Sequence, residues 1–160
     1  MNRLFGSFMN DSRYHNDNVN TMYCPEQIVP EGKHLITSKL CMTFDIGVNG
    51  NLFGGRMLEW LDEAGAIFAY KQIGGYLVTL KMSEVLFKAP VREKDMVEIY
   101  GDVRAVGNTS ITIELYAINI KTGFKVCECE AVYVHVNERG EKAAIPDAIK
   151  EQIKQDHGLE

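Results

Sequence analysis

Residues 49–70 read NGNLFGGRMLEWLDEAGAIFAY, and the other segments have to be placed around them. Asn49-Gly50-Asn51 is turn chemistry, because Gly and Asn tolerate positive φ. Gly54-Gly55 follows as two backbone amides with no side chains over them, at the start of a helix. A helix cannot satisfy its own first N–H groups, and its N-terminus carries roughly half a positive charge. An oxygen that gains negative charge would be stabilised there. Met57, Leu61, Ala64 and Phe68 recur at spacings of three and four, so they form one apolar stripe. Asp62 has Leu58, Gly65, Ala66 and Ala69 as its neighbours along the helix surface. Spacing leaves two readings of Asp62 open. It sits on the packing seam, where burial would raise its pKa and suit it to proton transfer, or it is an exposed residue on a helix shoulder.

The 160-residue chain is 46% hydrophobic, enough for one domain with a real core. Its net charge of −5 argues against nucleic-acid binding through a basic surface. No apolar run reaches the length of a membrane span, and the N-terminus lacks the apolar core of a secretory signal. Cys24, Cys41, Cys127 and Cys129 show no zinc or redox spacing, which reads as free thiols in a reducing cytoplasm. His15, His34, His135 and His157 share no ligand spacing and read as structural or surface residues, so no metal site is expected.

Residues 1–32 are rich in Asn, Asp, Ser and Tyr, with Pro25 and Pro30, and are expected to form a loose arm. Residues 33–160 are expected to form one domain. A strand is predicted over 34–43, and the helix should stop at Gly74-Gly75. One long strand is predicted over 76–87. Residues 96–106 alternate, with Val97, Ile99, Val103 and Ala105 inward. Gly107-Asn108 marks a hairpin. Residues 110–119 place Ile111, Ile113, Leu115 and Ala117 inward. In 125–136, Glu128 and Glu130 share a parity with Val132, Val134 and Val136, which suggests a bulge or an edge. A short helix is expected from Pro146 to about 155. Strands in hairpin succession make an antiparallel sheet, and one striped helix covers one face of it. The other face and the edges need cover, so a homo-oligomer is expected.

This order of elements, with NGNLFGGRMLEWLDEAG at its centre, resembles the hot-dog fold of the acyl-CoA thioesterases. The chain is similar to the bacterial short acyl-CoA hydrolases and the brain-type acyl-CoA hydrolases. Leu77-Val78-Thr79, Leu86 to Val91, Gly107-Asn108-Thr109-Ser110 and the strand from Glu130 to Val136 extend the match over most of the chain. The resemblance implies an α+β fold, an antiparallel sheet wrapped around one long central helix. It implies hydrolysis of an acyl-CoA to a carboxylic acid and coenzyme A. Asp62 would activate water or attack the thioester, Asn51 would hold water or substrate, and Gly55 would polarise the carbonyl. Phe53, Gly54, Thr79, Lys88, Thr109 and Ser110 would bind substrate, with Lys88 toward a phosphate. Asp62 and the Gly-rich loop would come from different chains of a dimer, the minimal unit of a hexamer built as a trimer of dimers. No cofactor is implied, since coenzyme A is part of the substrate. Gly47 departs from the family's usual Asn, and Phe53 stands where another hot-dog branch has His. A non-catalytic acyl-CoA-binding module is the alternative. A hot-dog dehydratase ranks low, because neither His34 nor His135 lies in a suitable context.

Overall fold

The computed structural model describes residues 32–160, so the expected arm lies, but for Gly32, outside the described residues. The elements are β1 (His34–Leu40), α1 (Gly54–Ile73), β2 (Tyr76–Met82), β3 (Leu86–Phe87), β4 (Met96–Val106), β5 (Ser110–Asn119), β6 (Lys125–Val136) and α2 (Asp147–His157). The fold is α+β, one antiparallel sheet curled around α1, as the resemblance implies.

The helix forms where the stripe predicts. Met57, Leu61, Ala64 and Phe68 are all buried, and Trp60, Ala69 and Ile73 widen the buried face. Each large apolar side chain fully buried here stabilises the fold by roughly 1.5–3 kcal/mol. Gly74 and Gly75 both have positive φ (73° and 68°), so the helix ends and the chain reverses into β2 within two residues.

The sheet order is β1-β4-β5-β6-β2, with β3 also on β6. Only β4, β5 and β6 follow one another as hairpins; the expected succession of four does not hold. β2 lies on the far side of β6, and β1 on the far side of β4. The long strand expected over 76–87 is two strands. The break falls at Ser83, whose N–H and Oγ both donate to Glu130 O (2.8 and 3.0 Å), while Glu130 N donates to Ser83 Oγ (3.1 Å). A hydroxyl thus takes over ladder bonds, and the chain leaves and rejoins β6 at Glu128. β1 stops at Leu40 rather than residue 43, because Thr43–Asp45 turns into a 3-10 helix.

Ile111, Ile113, Leu115 and Ala117 are fully buried, as the alternation of β5 predicts. In β4 the register shifts between Val103 and Ala105. The bulge at Arg104 turns Ala105 out to solvent and brings Val106 against the core, so Ala105 is not an inward residue. β6 is interior rather than an edge, paired on both sides. Its irregularity lies near its start, opposite Ile118.

α2 packs against β4 and α1, burying Ile153. The edge strand β2 exposes Tyr76, Val78 and Leu80, and Phe53 and Phe87 are exposed near the start of α1. An unpaired edge lined with apolar side chains is an invitation to another chain.

Candidate active site

The site residues fall into two groups at opposite ends of the chain's own sheet. The first surrounds the start of α1. Asp45 is buried and holds this loop: Met42 N donates to its Oδ2 (2.9 Å), Phe53 N to its backbone oxygen (2.9 Å), and Arg56 Nε lies 3.0 Å from its Oδ1. Gly47 N donates to Asn51 O (2.8 Å) and Leu52 N to Val91 O (2.7 Å). Phe53 is the N-cap, and no side chain caps the helix. Arg56 and Met57 amides reach back to Phe53 O, while those of Gly54 and Gly55 lie too near the helix start to find an intrahelical acceptor. The Phe53 ring folds over Gly55: a Cβ added there would meet Cε1 at 2.5 Å.

Beside this loop is a cavity of about 300 Å³ lined by Asn49, Asn51, Met57, Phe87, Lys88 and Val91 among others. Asn51 Oδ1 is buried and has no hydrogen-bond partner among the described residues. A buried amide oxygen without a partner carries a cost of about 1–3 kcal/mol, which a donor such as water would relieve. Lys88 lines the same cavity but pairs with Glu128, which also binds Lys125 (2.7 Å). These lysines hold the Glu128 carboxyl below its usual range.

The second group lies along α1 and the opposite half of β6. Asp62 is half-buried, between the two positions that spacing left open. Thr79 Oγ1 donates to Asp62 Oδ1 at 2.8 Å. Thr79 sits beside the bulge of β2, where the register with β6 shifts between Thr79 and Lys81. Such bulges re-aim a side chain. Tyr133, opposite Thr79, donates its hydroxyl to Asp62 O at 3.1 Å. Burial first, then the Asp62 charge, pushes the Tyr133 phenol well above its usual value, so it stays a neutral donor. Gly65 makes room for it, since a Cβ there would meet the Tyr133 hydroxyl at 2.1 Å. Thr109 and Ser110 lie on the β4–β5 turn at this end; Ser110 pairs with Val134 and His135 N donates to Thr109 O (2.8 Å).

One chain therefore brings Asp62 together with Thr79, with Thr109 and Ser110 nearby, and Asn51 together with Phe53, Gly54, Gly55 and Lys88. It does not join the groups. Asp62 is seven residues beyond Gly55, about 10 Å along the helix. Lys88, bonded to Val126, and Thr79, opposite Tyr133, are seven residues of β6 apart, about 23 Å.

The other polar residues settle as ordinary structure. Arg56 pairs with Glu59 (2.6 Å) and Asp45, Glu63 pairs with Lys39, and Trp60 is core. Cys41, Cys127 and Cys129 are free and buried; Cys24 lies outside the described residues. Burial pushes the Cys41 and Cys127 thiols up to about 11 and that of Cys129 to about 12. Sequence reading missed three features. The anchoring role of Asp45 rests on loop contacts with Met42, Phe53 and Arg56 that no periodicity announces, and the support of Asp62 by Tyr133 depends on a long-range contact. So does the meeting of His34, Asp102 and His157, which no spacing announces.

Residues 49–123 match the thioesterase superfamily. An uncharacterized acyl-CoA thioester hydrolase of Buchnera aphidicola (subsp. Schizaphis graminum) is 34% identical over 113 residues, 68% of this chain and 83% of that protein. The acyl-CoA thioester hydrolase YciA of Escherichia coli is 31% identical over 125 residues, 74% of this chain and 94% of that protein. Among solved structures, a hexameric thioesterase of Yersinia pestis superposes with a TM-score of 0.70 at 30% identity, covering 74% of this chain and 99% of that one. A hexameric hotdog fold thioesterase of Campylobacter jejuni gives 0.68 at 32% identity, covering 81% and 100%. The helix wrapped by its sheet, the Gly-rich start of α1 and these matches agree, and the chain belongs to the hot-dog thioesterase superfamily, among the acyl-CoA thioester hydrolases.

Proposed function

We propose that this protein hydrolyses acyl-CoA thioesters to a carboxylic acid and coenzyme A, in sites built between two copies of the chain. The observation that carries the reading is the division of the site. A carboxylate oriented by Thr79 stands on one flank of α1, and bare helix-start amides with an unpartnered Asn51 oxygen stand about 10 Å away. Two chains docked through the exposed edge of β2 would bring the Asp62 flank of one to the Gly-rich loop of the other. The hexameric assembly of the relatives in Yersinia and Campylobacter supports an oligomer of such dimers.

The chemistry asks little more. Water held near Asn51 gives a proton to Asp62 as its oxygen attacks the thioester carbon. The carbonyl oxygen becomes an oxyanion, which the Gly54 and Gly55 amides stabilise. The carbon–sulfur bond then breaks, and the thiolate of coenzyme A takes up a proton as it leaves. An oxyanion donor contributes about 10²–10³ in rate, and a general base about 10²–10⁴. The scheme needs no cofactor beyond the coenzyme A that belongs to the substrate. Phe53 and Thr79 border the acyl slot in this reading, and Thr109, Ser110 and Lys88 face the coenzyme A portion. Free thiols in the core favour a cytoplasmic setting.

The test is hydrolysis of short to long acyl-CoAs, followed by thiol release, with Asp62→Ala and Asn51→Ala beside the wild type. Turnover that drops at least a hundredfold in Asp62→Ala, with the oligomer intact, is expected. Tight acyl-CoA binding without turnover, unaffected by Asp62→Ala, would establish a binding module instead.

A further inference from the structure

His34, at the start of β1, Asp102, in β4, and His157, the last residue of α2, converge although they are far apart in the chain. One donor atom of each lies within 4.8 Å of the other two. His157 Nδ1 is 2.5 Å from Asp102 Oδ1, and its Nε2 lies 3.4 Å from Gln72 Oε1 on α1. A ring nitrogen this close to a carboxylate oxygen has either a proton or a cation between them. A metal-ligating imidazole whose second nitrogen donates to an oxygen is the usual way its ring is fixed. Both rings are also held by Phe68, which meets His157 edge-on (6.1 Å, 86°) and lies 5.8 Å from His34. The His157 side chain is 4% exposed and that of Asp102 21%, so two of the three ligands are sheltered, and His34 closes the group from its exposed side. Among the described residues the competing cation nearby is Lys33, 3.5 Å from Asp102 Oδ2 but closer to Glu114, at 2.9 Å.

We propose that His34, Asp102 and His157 form a three-ligand site for a zinc-type divalent transition ion that pins the end of α2 to β1 and β4. Two imidazoles and one carboxylate suit zinc, cobalt or nickel rather than magnesium or calcium. Ligands at about 2.0–2.2 Å from zinc stand roughly 3.3 Å apart, so the Nδ1–Oδ1 pair opens by under 1 Å when the ion replaces the proton. The exposed side, next to His34, leaves the fourth position to water. The ion does not enter the hydrolytic reaction, because Gln72 is ten residues beyond Asp62, about 15 Å along α1. Its role is a cross-link between three segments, which stabilises the folded state by mass action.

The measurement is titration of tag-free, metal-stripped full-length protein with Zn2+ by calorimetry, together with Co2+ absorption spectra and melting curves. One ion per chain is expected, with a raised Tm. His34→Ala and His157→Ala should each weaken binding at least tenfold and abolish the Tm shift. His135→Ala and the double variant His15→Ala/Cys24→Ser should bind as the wild type does. His34 is exposed, so His34→Ala will fold and decides the matter if His157→Ala does not. No binding to the wild type, or binding unchanged in His34→Ala, would overturn the site whatever the outcome for hydrolysis.

Discussion

At the scale of the residue, Gly65 makes the sharpest case. Alanine is better than glycine inside a helix by about 0.8–1.0 kcal/mol. At Gly65 a methyl would strike the Tyr133 hydroxyl and approach Leu115, both fully buried. Overpacking of that kind costs about 1–3 kcal/mol, so the clash outweighs the propensity gain. Gly65→Ala should lower the urea midpoint. Adding Tyr133→Phe, which removes the colliding oxygen, should restore part of it, and a double-mutant cycle would read this as coupling. Strict additivity of the two changes would show that they do not meet. Thr79 acts on the same helix through Asp62. Thr79→Val removes a charge-assisted hydrogen bond worth about 1.5–3 kcal/mol, so kcat should fall roughly ten- to a hundredfold while Thr79→Ser stays near wild type. Equal kcat in both variants would remove Thr79 from the mechanism.

At the scale of the element, β6 gathers the consequences. Its inward face carries Cys127, Cys129, Ala131 and Tyr133, small residues toward one end and a large one under Gly65. The thiols cannot ionise without water that the sheet excludes. Burial lifts the folded pKa of Cys127 and Cys129 from about 9 to about 11 and about 12. Their stabilising contribution is therefore complete below pH 9 and is lost as pH rises through 11 to 12. Denaturant midpoints should hold steady from pH 7 to 9 and decline above it, and the decline should be shallower in Cys129→Ala. An identical slope in that variant would point to other groups. The buried thiols should also resist thiol reagents in the native state. Ser83 is the other device of β6. Ser83→Ala deletes two side-chain bonds to Glu130 and should cost about 1–3 kcal/mol in an equilibrium melt.

At the scale of the whole molecule, the chain by itself is unfinished. Among the described residues β2 presents an unpaired edge with Val78 and Leu80 exposed, and the two groups of candidate site residues stand on opposite ends of the sheet. A sheet edge of this kind pairs with its own copy about a two-fold axis. Leu80→Asp should then dissolve the oligomer, seen by light scattering, and abolish hydrolysis together with it. Mixing chains gives a more demanding check. If Asp62 and Asn51 of different copies share a site, co-refolded Asp62→Ala and Asn51→Ala chains recover about a quarter of wild-type activity, since half the random dimers carry one intact site. No recovery from two inactive chains would place each site within one copy.

Local pattern reached far into this protein, and its limit is physical. The α1 stripe, the alternation of β5, the Gly74-Gly75 stop and the Gly107-Asn108 hairpin were all legible in the sequence. Helical period, strand period and glycine's freedom at positive φ act between near neighbours. Asp62 and the Gly-rich start of the helix could be singled out for the same reason, since both lie on one continuous segment. What the sequence left open was everything decided by strand order and register. The Arg104 bulge that turns Ala105 outward, the Ser83 break and the placement of β2 on β6 depend on which hydrogen bonds form across the sheet. So do the Thr79 and Tyr133 contacts to Asp62 and the meeting of His34 with Asp102 and His157. Those partners are 17 to 71 residues apart for Asp62 and 55 residues apart for Asp102 and His157, and no periodicity spans such gaps. The sequence alone determined the helix, its face and the family; only the folded sheet decided what surrounds the carboxylate, because a register is fixed by the sum of contacts along whole strands.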